Sequence, residues 1–229
     1  MHQKAIQKYY DQLASTYDEN RFSNTYGQYI DAQERNFLTS FFHKYKRLNK
    51  TLDLGCGTGR LLDFATSGVD FSEEMLSQAK AKYPYKNLTV GNITDIPFEN
   101  ESMDCIFSFH VIMHQDRETT QQFLSESWQK LKPEGFLIFD FPVKRRRKNH
   151  ASTESWHAYN SFNPEEIKFL FRNRWTITET QGILFFPVHR IPKSLRRLFL
   201  PLDNWLCRSF LKKWASYQII VLQKLNKLS

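Results

Sequence analysis

The stretch Thr51-Leu52-Asp53-Leu54-Gly55-Cys56-Gly57-Thr58-Gly59-Arg60 constrains this chain more than any other. Leu52 and Leu54 alternate with Thr51 and Asp53 as in a short strand, and glycine then takes every second position. Glycine is needed that densely only where the backbone bends sharply or something lies against it. The spacing predicts a strand, a glycine turn and about two helical turns over Arg60 to Thr66. Backbone N–H groups at such a turn suit a polar or anionic ligand. A dinucleotide turn would read Gly-x-Gly-x-x-Gly. Here the third glycine comes one residue early, Arg60 stands where that pattern wants glycine, and an acidic residue, Asp53, precedes the turn.

The chain beyond the turn alternates between strand and helix. Gly68-Val69-Asp70-Phe71 reads as a strand ending in a carboxylate, with Ser72 as N-cap of a helix that buries Met75, Leu76 and Ala79. A lone Asp70 would be a cap or turn residue; following a glycine turn, it is placed to accept from two ribose hydroxyls. Leu88 to Gly91 is a third strand leading into Asn92 and Ile93, and Met103 to Phe109 is an apolar run typical of a buried parallel strand. His110 and His114 follow it, beyond the carboxyl end of that strand, where ligands of such sheets sit. His114 reads either as a general base, with an ordinary pKa near neutrality, or as a structural helix cap. Arg117 to Leu131 is a helix stopped by Lys132-Pro133-Glu134-Gly135, and Phe136 to Phe141 is a fifth strand. Trp175 to Phe185 and Tyr217 to Leu222 read as an antiparallel edge hairpin. This alternation predicts an α/β fold with a mostly parallel sheet covered on both faces.

Two helices precede the turn. Ile6, Tyr9, Tyr10, Leu13 and Tyr17 are spaced for one over residues 1 to 20. Residues 28 to 46 form another, with Ile30, Phe37, Leu38 and Phe41 on its apolar face and Glu34, Arg35, Lys44 and Lys46 outside it.

Taken together, Asp53 with its glycine turn, Asp70, the Gly91-Asn92 segment and Leu131-Lys132-Pro133-Glu134-Gly135-Phe136 resemble, in order, the motifs of class I S-adenosylmethionine-dependent methyltransferases. The resemblance covers roughly residues 10 to 141 by motif and the remainder by architecture. It implies a Rossmann-like seven-stranded sheet in one domain over 1–229: an N-terminal helical cap (1–46), a cofactor-binding core (47–141) and a substrate-side half (142–229) with a helical lid over 187–213. The cofactor implied is S-adenosyl-L-methionine. The resemblance gives Asp53 to its methionine end, lets Gly55, Cys56, Gly57 and Gly59 approach it closely, gives Asp70 the ribose, and sets Phe71, Asn92 and Ile93 around the adenine. His110 becomes part of the cofactor wall. Asn92 departs from the family, which commonly has an acidic residue there. Tyr9-Tyr10-Asp11 and Thr16-Tyr17-Asp18 are similar to the N-terminal segment that folds over the cofactor in many small-molecule methyltransferases, which makes Tyr17 a catalytic candidate beside His114. No metal site is expected.

The net charge of +8 favours an anionic partner, and the positive excess lies after residue 140, beginning with Lys144-Arg145-Arg146-Arg147-Lys148. Those residues read as a solvated loop or as a phosphate grip in the acceptor site. Residues 190 to 214 alternate leucines and aromatics with Arg and Lys, and read as a lid or as a segment lying on a membrane surface. Cys56, Cys105 and Cys207 are odd in number and scattered, as expected of reduced thiols in a cytoplasmic protein, and no signal peptide is evident at the N-terminus. The expected activity is methyl transfer by in-line displacement to a small-molecule or lipid-intermediate acceptor. The alternatives are an RNA or protein methyltransferase, or a non-catalytic module binding membrane surfaces or nucleic acid on the same fold.

Overall fold

The computed structural model describes residues 2–144, 161–162, 166–167 and 174–225. Seven strands form one sheet in the order β3-β2-β1-β4-β5-β7-β6. They are β1 (Thr51–Leu54), β2 (Ser67–Asp70), β3 (Asn87–Val90), β4 (Met103–Ser108), β5 (Leu131–Pro142), β6 (Trp175–Ile183) and β7 (Tyr217–Lys224). The first five run parallel, and β7 is antiparallel to both β5 and β6. The chain moves outward from β1 through β2 to β3, then returns to β4 on the other side of β1. Strand order therefore reverses between β1 and β4, and the crevice beyond their carboxyl ends is where such sheets bind ligands.

Six α-helices belong to the described residues: α1 (His2–Leu13), α2 (Tyr17–Phe22), α3 (Thr25–Lys44), α4 (Glu73–Lys82), α5 (Arg117–Lys130) and α6 (Arg196–Arg208). Side-chain alternation along the strands feeds two cores. Cys105, Phe107, Phe136 and Ile138 face α3 with its Phe37, Leu38 and Phe41. Ile106, Leu137, Phe139 and Phe141 face α5 with its Phe123 and Leu124. Each α5 or α3 aromatic buried in this way is worth about 2 kcal/mol or more in water exclusion. Local chemistry starts the helices where the sequence predicts. Ser72 Oγ accepts from Met75 N–H at 3.1 Å, and Asn24 and Asp116 cap α3 and α5 in the same manner.

Four features differ from the sequence expectations. First, Arg60 to Thr66 is not a helix but a turn closed by a short 3-10 segment, Leu62–Phe64. Gly59, at φ 86, directs the chain back toward the sheet at once, so no helix N-terminus backs the glycine turn. Second, Glu34 lies on the buried face of α3 at 0% exposure, not outside it. Third, 187–213 is largely helical, but none of its residues lines the cavity described below. Its helix α6 packs along α3 and β6 instead. β5 also begins at Leu131, through a register shift opposite Met103 to Cys105, earlier than the predicted Phe136. Arg145 to Lys148 of the basic loop, and Asn163 to Glu165 of the predicted helix start, lie outside the described residues.

Candidate active site

The glycine turn, the end of β2 and the residues after β4 line a cavity at the strand-order reversal. Gly55, Gly57 and Gly59 all have positive φ (80, 52 and 86), which side-chain-bearing residues adopt at a cost. The three glycines do different work. A Cβ on Gly55 would meet Val111 Cγ2 at 2.4 Å, and one on Gly59 would meet Leu62 Cδ1 at 2.8 Å. A Cβ on Gly57 would meet nothing within 4 Å. Gly55 and Gly59 thus serve the fold, whereas Gly57 leaves its surface open toward the cavity. Gly59 lines neither cavity found here.

Asp70 closes the end of β2. Its carboxylate accepts from Gly57 N–H at 2.8 Å and Ser72 N–H at 3.0 Å, joining the turn to the next helix. Burial pushes its pKa up to about 6 despite these hydrogen bonds. Phe71, Asn92 and Ile93 line the cavity beside it. Asn92 Oδ1 accepts from Thr94 N–H at 3.2 Å and Thr94 Oγ1 at 3.1 Å, an Asx turn that ends β3. That oxygen already holds the chain, in addition to facing the space expected for an adenine.

A second, smaller cavity adjoins the first behind Gly55 and Gly57 and is lined by Asp53, Cys56, Thr58, Arg60 and His110. Burial raises the Asp53 carboxyl to about 8, with Arg60 opposing and Asp70 reinforcing the shift. A carboxyl so placed is poised to ionise when a cation arrives. Burial also holds the Cys56 thiol well above its ordinary value, so it is an inert wall rather than a nucleophile.

A charged network with no sequence signature backs this cavity. Arg60 meets Glu34 at 2.6 Å and Asp31 at 2.7 Å. Glu34 also lies 2.8 Å from His110 Nε2. Burial alone would raise the Glu34 carboxyl, but Arg60 and His110 hold it down to about 2. His110 is partly buried, which favours its neutral form, yet Glu34 and Asp140 raise its pKa. Its backbone is left-handed (φ 61), and its N–H donates to Asp140 Oδ1 at 2.6 Å. That short bond offsets a strain on the order of 1–2 kcal/mol. With Glu34 beside its ring and Asp140 holding its backbone, His110 lines both cavities.

The cap closes from above. Gln7 Nε2 donates to Phe71 O at 2.8 Å, Ser72 Oγ to Asp11 Oδ1 at 2.5 Å, and Thr58 Oγ1 to Asp18 Oδ1 at 2.5 Å. The Arg60 guanidinium stacks 4.4 Å from the Phe22 ring centroid. These contacts set Tyr10, Tyr17 and His114 against the cavity. The Tyr10 hydroxyl lies 3.2 Å from His114 Nε2, and the Tyr10 and Tyr17 rings meet edge to face at 6.0 Å between centroids. Burial raises both phenols, so neither ionises near neutral pH.

The structure therefore brings Tyr17, Asp53, Gly55, Cys56, Gly57, Asp70, Phe71, Asn92, Ile93, His110 and His114 around two adjoining cavities. Sequence reading missed Glu34, Asp31 and Asp140 behind the site, and Ile6, Met75 and Val111 on its apolar wall. Arg60 was noticed only as a departure from glycine. Asp140 could have been found: it is the one charged residue inside an otherwise apolar strand, Phe136 to Phe141.

Residues 52–139 match the family model described as Methyltransferase domain. An uncharacterised protein of Methanocaldococcus jannaschii is 29% identical over 96% of this chain and 91% of its own length. The ubiquinone/menaquinone biosynthesis C-methyltransferase of Geotalea daltonii is 32% identical over 61% of this chain and 64% of its own length. Several other curated relatives are likewise spanned by less than two thirds of their length. Among solved structures, a Thermotoga maritima S-adenosylmethionine-dependent methyltransferase superposes with a TM-score of 0.67 at 17% identity, covering 95% of this chain and 99% of that one. With the glycine turn, the strand order and the two cavities, these likenesses support a class I S-adenosylmethionine-dependent methyltransferase.

Proposed function

We propose that this enzyme moves the methyl group of S-adenosylmethionine to a small organic acceptor, free or a lipid intermediate, held between Tyr10, Tyr17 and His114. The observation that carries this reading is the closed cap. Three hydrogen bonds tie α1 and α2 to Phe71, Ser72 and Thr58, and Tyr10 and Tyr17 of the cap then line the cavity from above, which favours a small acceptor over a polymer. The relatives agree in kind: one is named for quinone biosynthesis and the Thermotoga protein as a possible histamine N-methyltransferase.

The bound cofactor supplies an electrophilic methyl on a sulfonium. Asp53, once ionised, would pair with the methionine ammonium, and Gly57 would let the backbone approach. Asp70 would accept from the ribose hydroxyls, and Phe71, Ile93 and Asn92 would hold the adenine. The enclosed aromatic wall excludes water and orients the acceptor, which is most of what a direct displacement needs from a protein. Where the acceptor must shed a proton, His114 takes it, held in place by the Tyr10 hydroxyl.

Methyl-labelled cofactor, incubated with the full chain and separately with a panel of quinols, phenols and amines, bulk RNA and bulk protein, tests the proposal. Label should enter the small-molecule fraction and be reduced in His114→Gln. Label confined to RNA or protein would overturn the reading in favour of a macromolecular acceptor, for which the basic half of the chain would then be the docking surface.

A further inference from the structure

The segment from residue 190 to 214 carries the densest exposed apolar surface among the described residues. Nine large hydrophobic residues are exposed among the described residues, and six of them fall here: Leu195, Leu198, Leu202, Trp205, Phe210 and Trp214. Leu198, Leu202 and Trp205 recur at helix spacing along α6 and form one outward stripe, 73%, 49% and 64% exposed.

The stripe cannot turn inward, because the opposite face of α6 is pinned. Asp203 is fully buried and accepts from the Tyr29 hydroxyl at 2.9 Å and from Phe185 N–H at 2.9 Å. Gln33 of α3 adds an amide contact to Asn204 at 3.0 Å and accepts from Leu184 N–H at 3.0 Å. A helix held by a buried carboxylate on one side, with leucines and tryptophan on the other, presents those residues as a fixed surface.

The charge around the stripe selects its partner. Arg190, Lys193, Arg196, Arg197, Arg208, Lys212 and Lys213 lie in this segment, and its single acidic residue is the buried Asp203. Arg190, Lys193, Arg197, Arg208 and Lys213 are exposed. Lys213 Nζ sits 4.4 Å from the Trp214 ring centroid, a pairing of cation and indole suited to a headgroup boundary. A rim of uncompensated cations around leucines and tryptophans matches an anionic bilayer surface, where the apolar side chains enter the acyl boundary and the cations meet lipid phosphates.

We infer that α6 and the segment after it dock this methyltransferase on anionic membrane surfaces, with Leu198, Leu202, Trp205 and Phe210 inserted and the basic residues at headgroup level. Among the described residues no helix is long and apolar enough to cross a membrane, so the contact is a surface one. The inference does not depend on which acceptor is methylated.

Sedimentation of the full chain with vesicles of pure phosphatidylcholine, and with vesicles containing about a third phosphatidylglycerol, tests it. Binding is expected to the anionic vesicles, to weaken as added salt screens the charges, and to fall roughly tenfold or more in Leu198→Ser/Trp205→Ser. Arg197→Glu/Lys213→Glu should weaken it without touching the apolar stripe. Stabilisation by S-adenosylhomocysteine should stay at the wild-type level in both variants, which shows that they fold. No binding to anionic vesicles, or equal binding by the wild type and the Leu198→Ser/Trp205→Ser variant, would overturn the inference. So would a wild-type dimer that becomes monomeric in that variant without any vesicle binding, since a second copy would then be what covers the stripe.

Discussion

Arg60 and Glu34 meet at 2.6 Å in the interior, tying the glycine turn to the middle of α3. Arg60 occupies the position where a dinucleotide turn would carry glycine. Because its guanidinium also holds Asp31 and stacks on Phe22, one side chain joins the turn, the long helix and the cap. With no helix starting at Arg60, this ion pair does for the turn what helix packing does in a dinucleotide fold.

Removing the buried partner should be costly. Glu34→Gln leaves Arg60 with only the half-exposed Asp31 and leaves His110 facing an amide. The expected loss is about 3–5 kcal/mol in urea denaturation. The double replacement Glu34→Leu/Arg60→Met should be less destabilised than the single change, because it leaves no uncompensated charge. Equal stability of Glu34→Gln and wild type would mean that the turn is held by its glycines alone.

Three buried carboxyls contribute to the pH dependence of stability, beside Asp140, Asp203 and His110, whose pKa values are also raised. Glu34 is held down to about 2, so the stability it contributes is present above an ordinary carboxyl pKa of about 4 and is lost as pH falls toward 2. Asp53 and Asp70 run the other way. Their pKa values are raised to about 8 and about 6, so their contribution is present below about pH 4 and declines as pH rises through those values. Without cofactor the protein should be most stable near pH 4 to 5 and lose stability toward pH 8. Asp53→Asn should remove Asp53's own share of that decline, which runs from about pH 4 to about pH 8. A flat wild-type profile over that range, read by thermal unfolding in matched ionic strength, would refute the assignment.

Cofactor affinity should carry the mirror image of this effect. If Asp53 must be ionised to meet an ammonium, S-adenosylhomocysteine should bind more tightly at pH 8 than at pH 6, by calorimetry. The dependence should flatten in Asp53→Asn, and Asp70→Ala should bind weakly at both values. Asp70 also anchors Gly57 and Ser72, so its loss weakens the turn as well as the proposed ribose contact.

Much of this site was legible because its pattern is local. Asp53 and the glycines fall within seven residues, and Asp70 ends the next strand, so strand alternation and glycine spacing suffice to find them. Glu34 was not legible: a glutamate one position from an arginine in a helix reads as solvent face, and only Arg60, 26 residues later, makes its burial tolerable. The direction of α6 was hidden for a related reason. Its sequence has apolar residues all round, and the face turned inward is set by one buried aspartate, Asp203, whose partners Tyr29 and Phe185 are far away in the chain. The missing helix after Arg60 was a propensity error, since Leu61, Leu62 and Phe64 are good helix formers that the positive φ of Gly59 diverts into a single tight turn.

The contrast between Gly55 and Gly57 gives the most direct test of where the cofactor lies. Both have positive φ, so an alanine at either carries a backbone strain of about 1–2 kcal/mol. At Gly55 the new methyl would also press on Val111 at 2.4 Å, so Gly55→Ala should add a packing penalty and lower the unfolding temperature well beyond the backbone effect. At Gly57 the methyl enters open space, so Gly57→Ala should fold with only the backbone penalty. If that space belongs to the cofactor, Gly57→Ala should nonetheless lose stabilisation by S-adenosylhomocysteine, while Gly55→Ala, at a temperature where it is folded, should retain part of it. A Gly57→Ala variant that binds S-adenosylhomocysteine as tightly as wild type would place the cofactor away from the turn.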